Sequence, residues 1–380
     1  MNSFEKPDNN NQPPPKHHRR PRYAGTHPKT YEQKYKEHKL ASYPEIEQHL
    51  RAKGKTPAGS HIPVLKNEVI TILKPAFGEI VIDCTLGYGG HAAEFLKYIG
   101  PAGKLIALDI DAEELERTRK RLTDVIASPD NIGAKQSQPY TTTPISFHRC
   151  NFAGIAKVLK QEELPACDII FADLGVSSMQ IDNPARGISY KYDGPLDMRM
   201  DARLKQTAAD LLNTLPEEKL AKCFLEFGDE PDHLQIARSI IARRTAEPFK
   251  RTTQLVDVIF EAKGIDIKTW RKNRRTSKSP SLHPASLVFQ ALRIQVNDEL
   301  GCLRELLRVA PYCLRPAGRI GIISFHSGED RIVKHAFRDG FKTGIYQSIA
   351  DDPITPQPDE IASNPRSSSS KLRWAVTKSS

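Results

Sequence analysis

The sequence predicts an α/β fold in which an open, mostly parallel sheet is interrupted by a block of helices. Three observations predict it. The short apolar runs Glu79-Ile-Val-Ile-Asp83 and Lys104-Leu-Ile-Ala-Leu-Asp109 each end in a carboxylate, and each precedes a helical pattern. A third run, Cys167-Asp-Ile-Ile-Phe-Ala172, ends on Asp173 and opens a small-residue turn, Leu174-Gly-Val-Ser-Ser178. After Asp173 the alternation of strand and helix stops and helical periodicity takes over. Acids at the carboxyl ends of parallel strands stand where open α/β sheets build their ligand crevice.

Taken in order, residues 1–56 carry 12 Lys/Arg against 6 Asp/Glu, more than half of the formal net charge of +10. Pro13-Pro-Pro-Lys-His-His-Arg-Arg-Pro-Arg22 is low-complexity and cannot fold alone. Two readings stand: a basic arm on RNA phosphates, or a solvated tail. Tyr43-Pro-Glu-Ile-Glu-Gln-His-Leu50 has the pattern of a short helix. We expect four parts: a basic arm (1–56), a first sheet part (57–190), an inserted helical domain (191–300) and a second sheet part (301–380).

The first strand leads into Cys84-Thr-Leu-Gly-Tyr-Gly-Gly-His91. Glycines there permit a tight turn and close approach of backbone to a ligand. A helix follows over Ala92-Ala-Glu-Phe-Leu-Lys-Tyr-Ile99, stopped by Gly100-Pro-Ala-Gly103. After the second strand, the helix from Asp111 to Leu122 has acids in its first turn and bases in its last, which suits its dipole. Gly87-Tyr-Gly89-Gly90-His-Ala92 fits the dinucleotide pattern G-x-G-x-x-G/A, with Asp109 placed to hold both hydroxyls of a ribose. Spacing alone does not separate a nicotinamide site from an S-adenosylmethionine site. Asp83 and Thr85 favour the second, because a sulfonium tolerates an acid where a pyrophosphate does not.

Ser128 to Pro144 is polar and reads as an insertion loop before the third strand, Ile145-Ser-Phe-His-Arg-Cys150. Helical periodicity marks Thr207–Asn213, Pro216–Phe227, Leu234–Arg244 and Thr252–Lys263, with Thr207 and Thr252 as candidate caps. Pro284 to Ala310 supplies long helices, the second of which returns to the sheet. Trp270-Arg-Lys-Asn-Arg-Arg275 with Lys278 reads as a basic loop holding an aromatic: a phosphate and base-stacking patch, or a solvated charge run. Arg319-Ile-Gly-Ile-Ile-Ser-Phe325 and Lys371-Leu-Arg-Trp-Ala-Val376 are late strands.

Six cysteines are scattered without a Cys-x-x-Cys pair, so neither a zinc site nor a disulfide framework is indicated and a reducing cytoplasm is the plain reading. No apolar run approaches the roughly 20 residues a membrane span needs. The amino terminus has no apolar signal core.

With these motifs in place, the chain resembles the bacterial methyltransferases that modify N4 of a cytosine in small-subunit ribosomal RNA. The matching pieces run in the family's order: His61-Ile-Pro-Val-Leu65, Asp83 to His91, Asp173-Leu-Gly-Val-Ser-Ser178, Ala185-Arg-Gly187 and Asp193-Gly-Pro-Leu-Asp-Met-Arg-Met-Asp201. His283-Pro-Ala285, Phe289-Gln-Ala-Leu-Arg-Ile294, Ile323-Ser-Phe-His-Ser327 and Glu329-Asp-Arg-Ile-Val-Lys334 complete the series. The resemblance implies a Rossmann-like methyltransferase sheet with an inserted helical substrate-recognition domain and one late strand antiparallel at an edge. It implies S-adenosylmethionine as cofactor, small-subunit RNA or the small subunit as partner, and a cytoplasmic location. It also implies donor contacts at Gly89, Gly90, His91, Asp109, Phe152, Asp173 and Gln180, with Phe152 against the adenine. The chain departs from the family pattern at Leu287-Val288, at Asp229-Glu-Pro-Asp-His-Leu-Gln235 and at Ser368, where basic residues are usual.

The exocyclic amine of cytosine is a poor nucleophile because its lone pair is delocalised into the ring. Asp173, or a carbonyl of the 173–176 turn, is placed to accept its N–H; Asp173 serves there as the catalytic residue or orients the donor alone. DNA amino-methyltransferases place an acid or amide similarly, an analogy only. Asp197 and Arg199 are candidates for a base edge or phosphate, or an ion pair that pins their loop. His326 contacts substrate or is a hydrogen-bonded histidine at a strand end. A base inside folded RNA must leave its stack to meet the donor. Two other classes stay open: a non-catalytic RNA-binding or ribosome-assembly factor on the same fold, and a NAD-dependent oxidoreductase. No residue is singled out as a metal ligand, and neither a metal requirement nor the oligomeric state is readable.

Overall fold

The computed structural model describes residues 63–127, 144–276 and 282–379. The expectations for the arm, the Tyr43–Leu50 helix, His61, Ile62, Lys278 and the insertion loop up to residue 143 lie outside the described residues.

Seven strands form one sheet: β1 (Ile80–Asp83), β2 (Lys104–Asp109), β3 (Ile145–Arg149), β4 (Cys167–Asp173), β5 (Leu314–Ser324), β6 (Tyr346–Ile349) and β7 (Lys371–Thr377). Their order across the sheet is β3-β2-β1-β4-β5-β7-β6. β1 to β5 pair in parallel, and β7 runs antiparallel to both β5 and β6. The chain moves outward from β1 to β3 and then returns to place β4 on the other side of β1. That reversal makes a topological switch point at the carboxyl ends of β1 and β4, the place where such sheets bind ligands.

The antiparallel strand is not at the edge, contrary to expectation: β7 lies inside and β6 forms the edge. β6 escapes a reading of the sequence because Tyr-Gln-Ser-Ile is short and half polar, with only Tyr346 fully buried. β5 also begins earlier than Arg319. Cys167 pairs with Leu314 and Ile169 with Arg319, so Arg315–Gly318 bulge out of the ladder.

The core strands read as continuous apolar runs because helices cover both faces. One face is covered by α1 (Lys66–Leu73), α2 (Gly90–Ile99) and α3 (Ala112–Ala127). The other is covered by α4 (Ile155–Gln161) and two late helices described below. Between β4 and β5 the chain forms α5 (Ser178–Asp182), α6 (Ala208–Thr214), α7 (Glu217–Gly228), α8 (His233–Ala246), α9 (Thr252–Ala262), α10 (Ile267–Thr276) and α11 (Ser286–Asn297). Residues from Ile188 to Val296 make a hydrophobic cluster of their own. α12 (Glu299–Cys313) then returns to the sheet through Leu303, Leu306 and Leu307, and α13 (Ser327–Lys342) packs beside it. A short α14 (Pro358–Ser363) precedes β7. Among the described residues, no helix is long and apolar enough to cross a membrane.

Thr207 caps α6 as expected, accepting from the Asp210 amide while Asp210 reaches back to the Thr207 amide. Thr252 does not cap α9. Its hydroxyl donates to the Tyr192 carbonyl (2.8 Å) and accepts from the Gly194 amide (3.0 Å), tying the helix to the Asp193–Asp201 loop. The stretch around Trp270 is not a loop but α10. Trp270 meets Phe260 and His283 edge-on at 5.5 and 4.7 Å, so it anchors the helix to the apolar cluster, and the exposed side is left to Lys268, Arg271 and Lys272.

Candidate active site at the strand carboxyl ends

β1, β2 and β4 deliver three acids to one crevice. Asp83 is sealed from solvent, and one of its oxygens accepts from the Thr85 amide at 3.1 Å. Asp109 accepts from the Gly87 amide (2.9 Å) and, through its other oxygen, from the Asp111 amide (2.9 Å). Asp173 hangs at the mouth with its side chain 27% exposed, its amide held by the Thr85 hydroxyl at 2.6 Å. Burial, with Asp109 nearby, pushes Asp83 up to about 7. Burial lifts Asp109 to about 6, opposed by its amide donors. Burial, then Asp83 and Glu329, lift Asp173 to about 8. The shared cause is negative charge withdrawn from water without a matching cation, completely at Asp83 and only in part at Asp173.

The glycine turn sets the geometry. Gly87 has φ +46° and a Cβ there would meet only open space and the Thr85 carbonyl at 3.9 Å, so the turn leaves the crevice side clear. Gly89 differs: at φ +66° its hypothetical Cβ falls 2.9 Å from the Thr118 methyl of α3. Its smallness serves helix packing as well as the turn. Gly89→Ala is therefore expected to destabilise the fold by about 1–3 kcal/mol through strain and overpacking. Denaturant unfolding checks this, and an unchanged midpoint would contradict it.

His91, in the first turn of α2, points back across the turn. Its Nε2 is 3.8 Å from Asp173 Oδ2. Burial, and then Lys66, hold its pKa down to about 3, against a bond to the Val64 backbone, so the ring is neutral and the pair is not an ion pair. Nε2 of His91 and Oδ1 of Asp173 are both buried without a hydrogen-bond partner. Two unsatisfied polar atoms at one spot are costly unless a bound group completes them.

Gln180 is buried and fully engaged. Its Oε1 accepts from the Ser177 amide (3.0 Å) and its Nε2 donates to Asp111 (3.0 Å). The Arg186 guanidinium reaches the same Asp111 oxygen at 2.7 Å. Asp111 thus knots the segment after β4 to the segment after β2, straddling the crevice. Nothing in the sequence singles out Asp111 beyond its place two residues after Asp109. Asp111→Ala strands Gln180 and Arg186 and is expected to cost roughly 3 kcal/mol. Equilibrium unfolding reads this, and a loss under about 1 kcal/mol would show that the knot is ornamental. Phe152 opens the short 3-10 turn Phe152–Gly154 and is only partly buried. It lies beside the Asp109 strand end, since the Cys150 amide donates to the Asp109 carbonyl.

The other candidates are engaged with partners of their own. Asp197 and Arg199 form a two-point ion pair (2.7 and 2.8 Å), and Arg199 also donates to the Leu204 carbonyl: they pin their own loop. His326 caps α13 and faces Glu329 at 3.2 Å, a strand-end histidine with a structural partner. Val288 is fully buried, while Gln235 and Ser368 are exposed and Leu287 is half-buried. Glu329, which accepts from the Phe325 amide and adds negative charge toward Asp173, was hidden inside a motif with no assigned role.

A switch-point crevice on which three acids converge marks an α/β ligand-binding fold better suited to a cation than to a pyrophosphate. The chain belongs to the MraW methylase family, whose pattern it matches over residues 58–378. It is 40% identical to "Ribosomal RNA small subunit methyltransferase H 1" of Lachnoclostridium phytofermentans over 94% of this chain and 92% of that protein. It is 40% identical to "Ribosomal RNA small subunit methyltransferase H 2" of Alkaliphilus metalliredigens over 94% of this chain and 97% of that protein. Identity to "Ribosomal RNA small subunit methyltransferase H" of Acidobacterium capsulatum is also 40%, over 84% of this chain and 98% of that protein. The fold is thus a Rossmann-like methyltransferase sheet, and the cofactor is S-adenosylmethionine.

Proposed function

We propose that this chain transfers a methyl group from S-adenosylmethionine to N4 of a cytosine in small-subunit ribosomal RNA, in the cytoplasm where that substrate is made. The family match across nearly the whole chain carries this reading. The residues present fit the donor. Its positive sulfur suits the acids Asp83 and Asp173, and its ribose hydroxyls suit Asp109. Gly89, Gly90 and His91 line the turn, Phe152 is placed for the adenine, and Gln180 holds the facing wall through Asp111.

When bound, the donor supplies an electrophilic methyl group. The protein's own contribution is alignment and charge. Asp173 is the catalytic residue: its carboxylate, 27% exposed at the crevice mouth, accepts an N–H of the cytosine amine and frees the nitrogen lone pair. A cation beside Asp173 favours its ionised, accepting form, so donor binding readies the acceptor. His91, neutral, faces Asp173 across 3.8 Å from the other side. The helical block, residues 191–300, frames the extruded base. Leu287, Gln235 and Ser368 leave this machinery untouched, which favours an active enzyme over a binding factor alone. Incubation with labelled donor and isolated small subunits tests this: label enters RNA and survives digestion to a methylated cytidine. RNA binding without label transfer would return the chain to the class of assembly factors.

A further inference from the structure

Away from the crevice, α12 and α13 lie side by side and leave a groove of about 540 Å³ between them. Arg304, Arg308 and Tyr312 recur every fourth residue along α12 and so form one ridge. Arg331 and His335 form the facing ridge on α13, over an apolar floor of Leu307 and Ile332. Arg308 is held by Glu305 (2.7 Å), but Arg304, Arg331 and His335 have no acidic partner among the described residues. Tyr312 is 79% exposed at the far end. α13 follows its cap His326 just past the carboxyl end of β5, and α12 runs opposite to β5 and feeds its start, so Arg304 and Arg331 both lie in the halves of their helices nearer the strand carboxyl ends.

We infer that this groove binds the sugar–phosphate backbone of RNA leading away from the target base. The inference rests on the RNA substrate proposed above and adds a second contact surface to it. Unpaired guanidiniums on two facing ridges match phosphates spaced along a strand, since the planar fork donates two parallel bonds to one phosphate. An exposed ring beyond them offers a stacking face of the kind single-stranded binders use. The shallow apolar floor accommodates sugar edges, and two neighbouring acids are already paired, Glu305 with Arg308 and Asp330 with Arg373.

The test is binding of naked small-subunit RNA across a salt series, comparing the full-length protein with the double variant Arg304→Glu/Arg331→Glu. The variant is expected to bind roughly tenfold or more weakly near 0.15 M salt, with a log–log salt slope smaller by about 1.4 to 1.8, as two lost phosphate contacts require. Arg304→Lys/Arg331→Lys should keep most of the slope. Donor affinity should be unchanged in both variants, which controls for folding. Equal affinity and slope in wild type and charge-reversed protein would overturn the inference. So would a defect confined to intact subunits, because the occupant would then be a protein. If wild type binds RNA through the groove yet methylates nothing, the proposed activity falls while the groove stands.

Discussion

Replacing Asp173 by alanine is expected to slow methyl transfer by roughly 10²–10⁴-fold, the range for loss of a positioned proton acceptor. Asparagine keeps one accepting oxygen and should fall between alanine and wild type. Donor affinity should change by less than about tenfold, because Asp83 and Asp109 still face the ligand. If Asp173 only orients the donor, the pattern inverts: the donor KM rises and kcat is kept. At sub-saturating donor the wild-type rate should climb with pH along a limb below about 8, where burial, Asp83 and Glu329 hold the free carboxyl, and that limb should move to lower pH once the donor is bound. Single-turnover assays at saturating donor separate the two roles. An alanine variant with wild-type kcat would remove Asp173 from the chemistry.

The second large effect is a stability that runs against pH until the donor binds. Asp83, Asp109 and Asp173 sit near 7, 6 and 8 in the fold, against 3.8 in an unfolded chain. Between about pH 4 and 8 the native state therefore holds more protons than the unfolded one, and stability falls as pH rises through that window. For sealed Asp83 a shift of about 3 units corresponds to at most ~4 kcal/mol. Asp83→Asn should accordingly raise the melting temperature of the ligand-free protein at pH 8. It should also weaken donor binding, since the sulfonium loses a counter-charge. In the wild type, donor binding near pH 7 should expel protons. Calorimetry in two buffers of different ionisation enthalpy measures that release. Heats that do not depend on the buffer would show that the acids are already ionised and that the crevice is not tuned in this way.

The parts of this fold that can be read from residues are those written as long apolar runs with an acid at the end. β1, β2 and β4 are of this kind, and they carry Asp83, Asp109 and Asp173 to the same crevice. β6 is not, because four half-polar residues have no periodicity to betray them, and its place outside β7 depends on pairing across the sheet. α10 was obscured by its charge: Ile267 and Trp270 are its only apolar anchors in a strongly basic stretch. The Asp111 knot is a tertiary object. Gln180 lies in α5 and Arg186 in the short 3-10 turn after it, yet only the folded chain shows that both end on one carboxylate 69 and 75 residues upstream. The Thr252 cap failed for a related reason, since a hydroxyl with a choice of partners went to the Tyr192 carbonyl and the Gly194 amide.

The most direct test of the central claim is mass mapping of small-subunit ribosomal RNA from cells that lack this protein. One cytidine should lose a single methyl from its exocyclic nitrogen. Expression of the wild-type chain should restore it, and expression of the Asp173→Ala chain should not. An unchanged methylation map in the deletion strain would contradict the account.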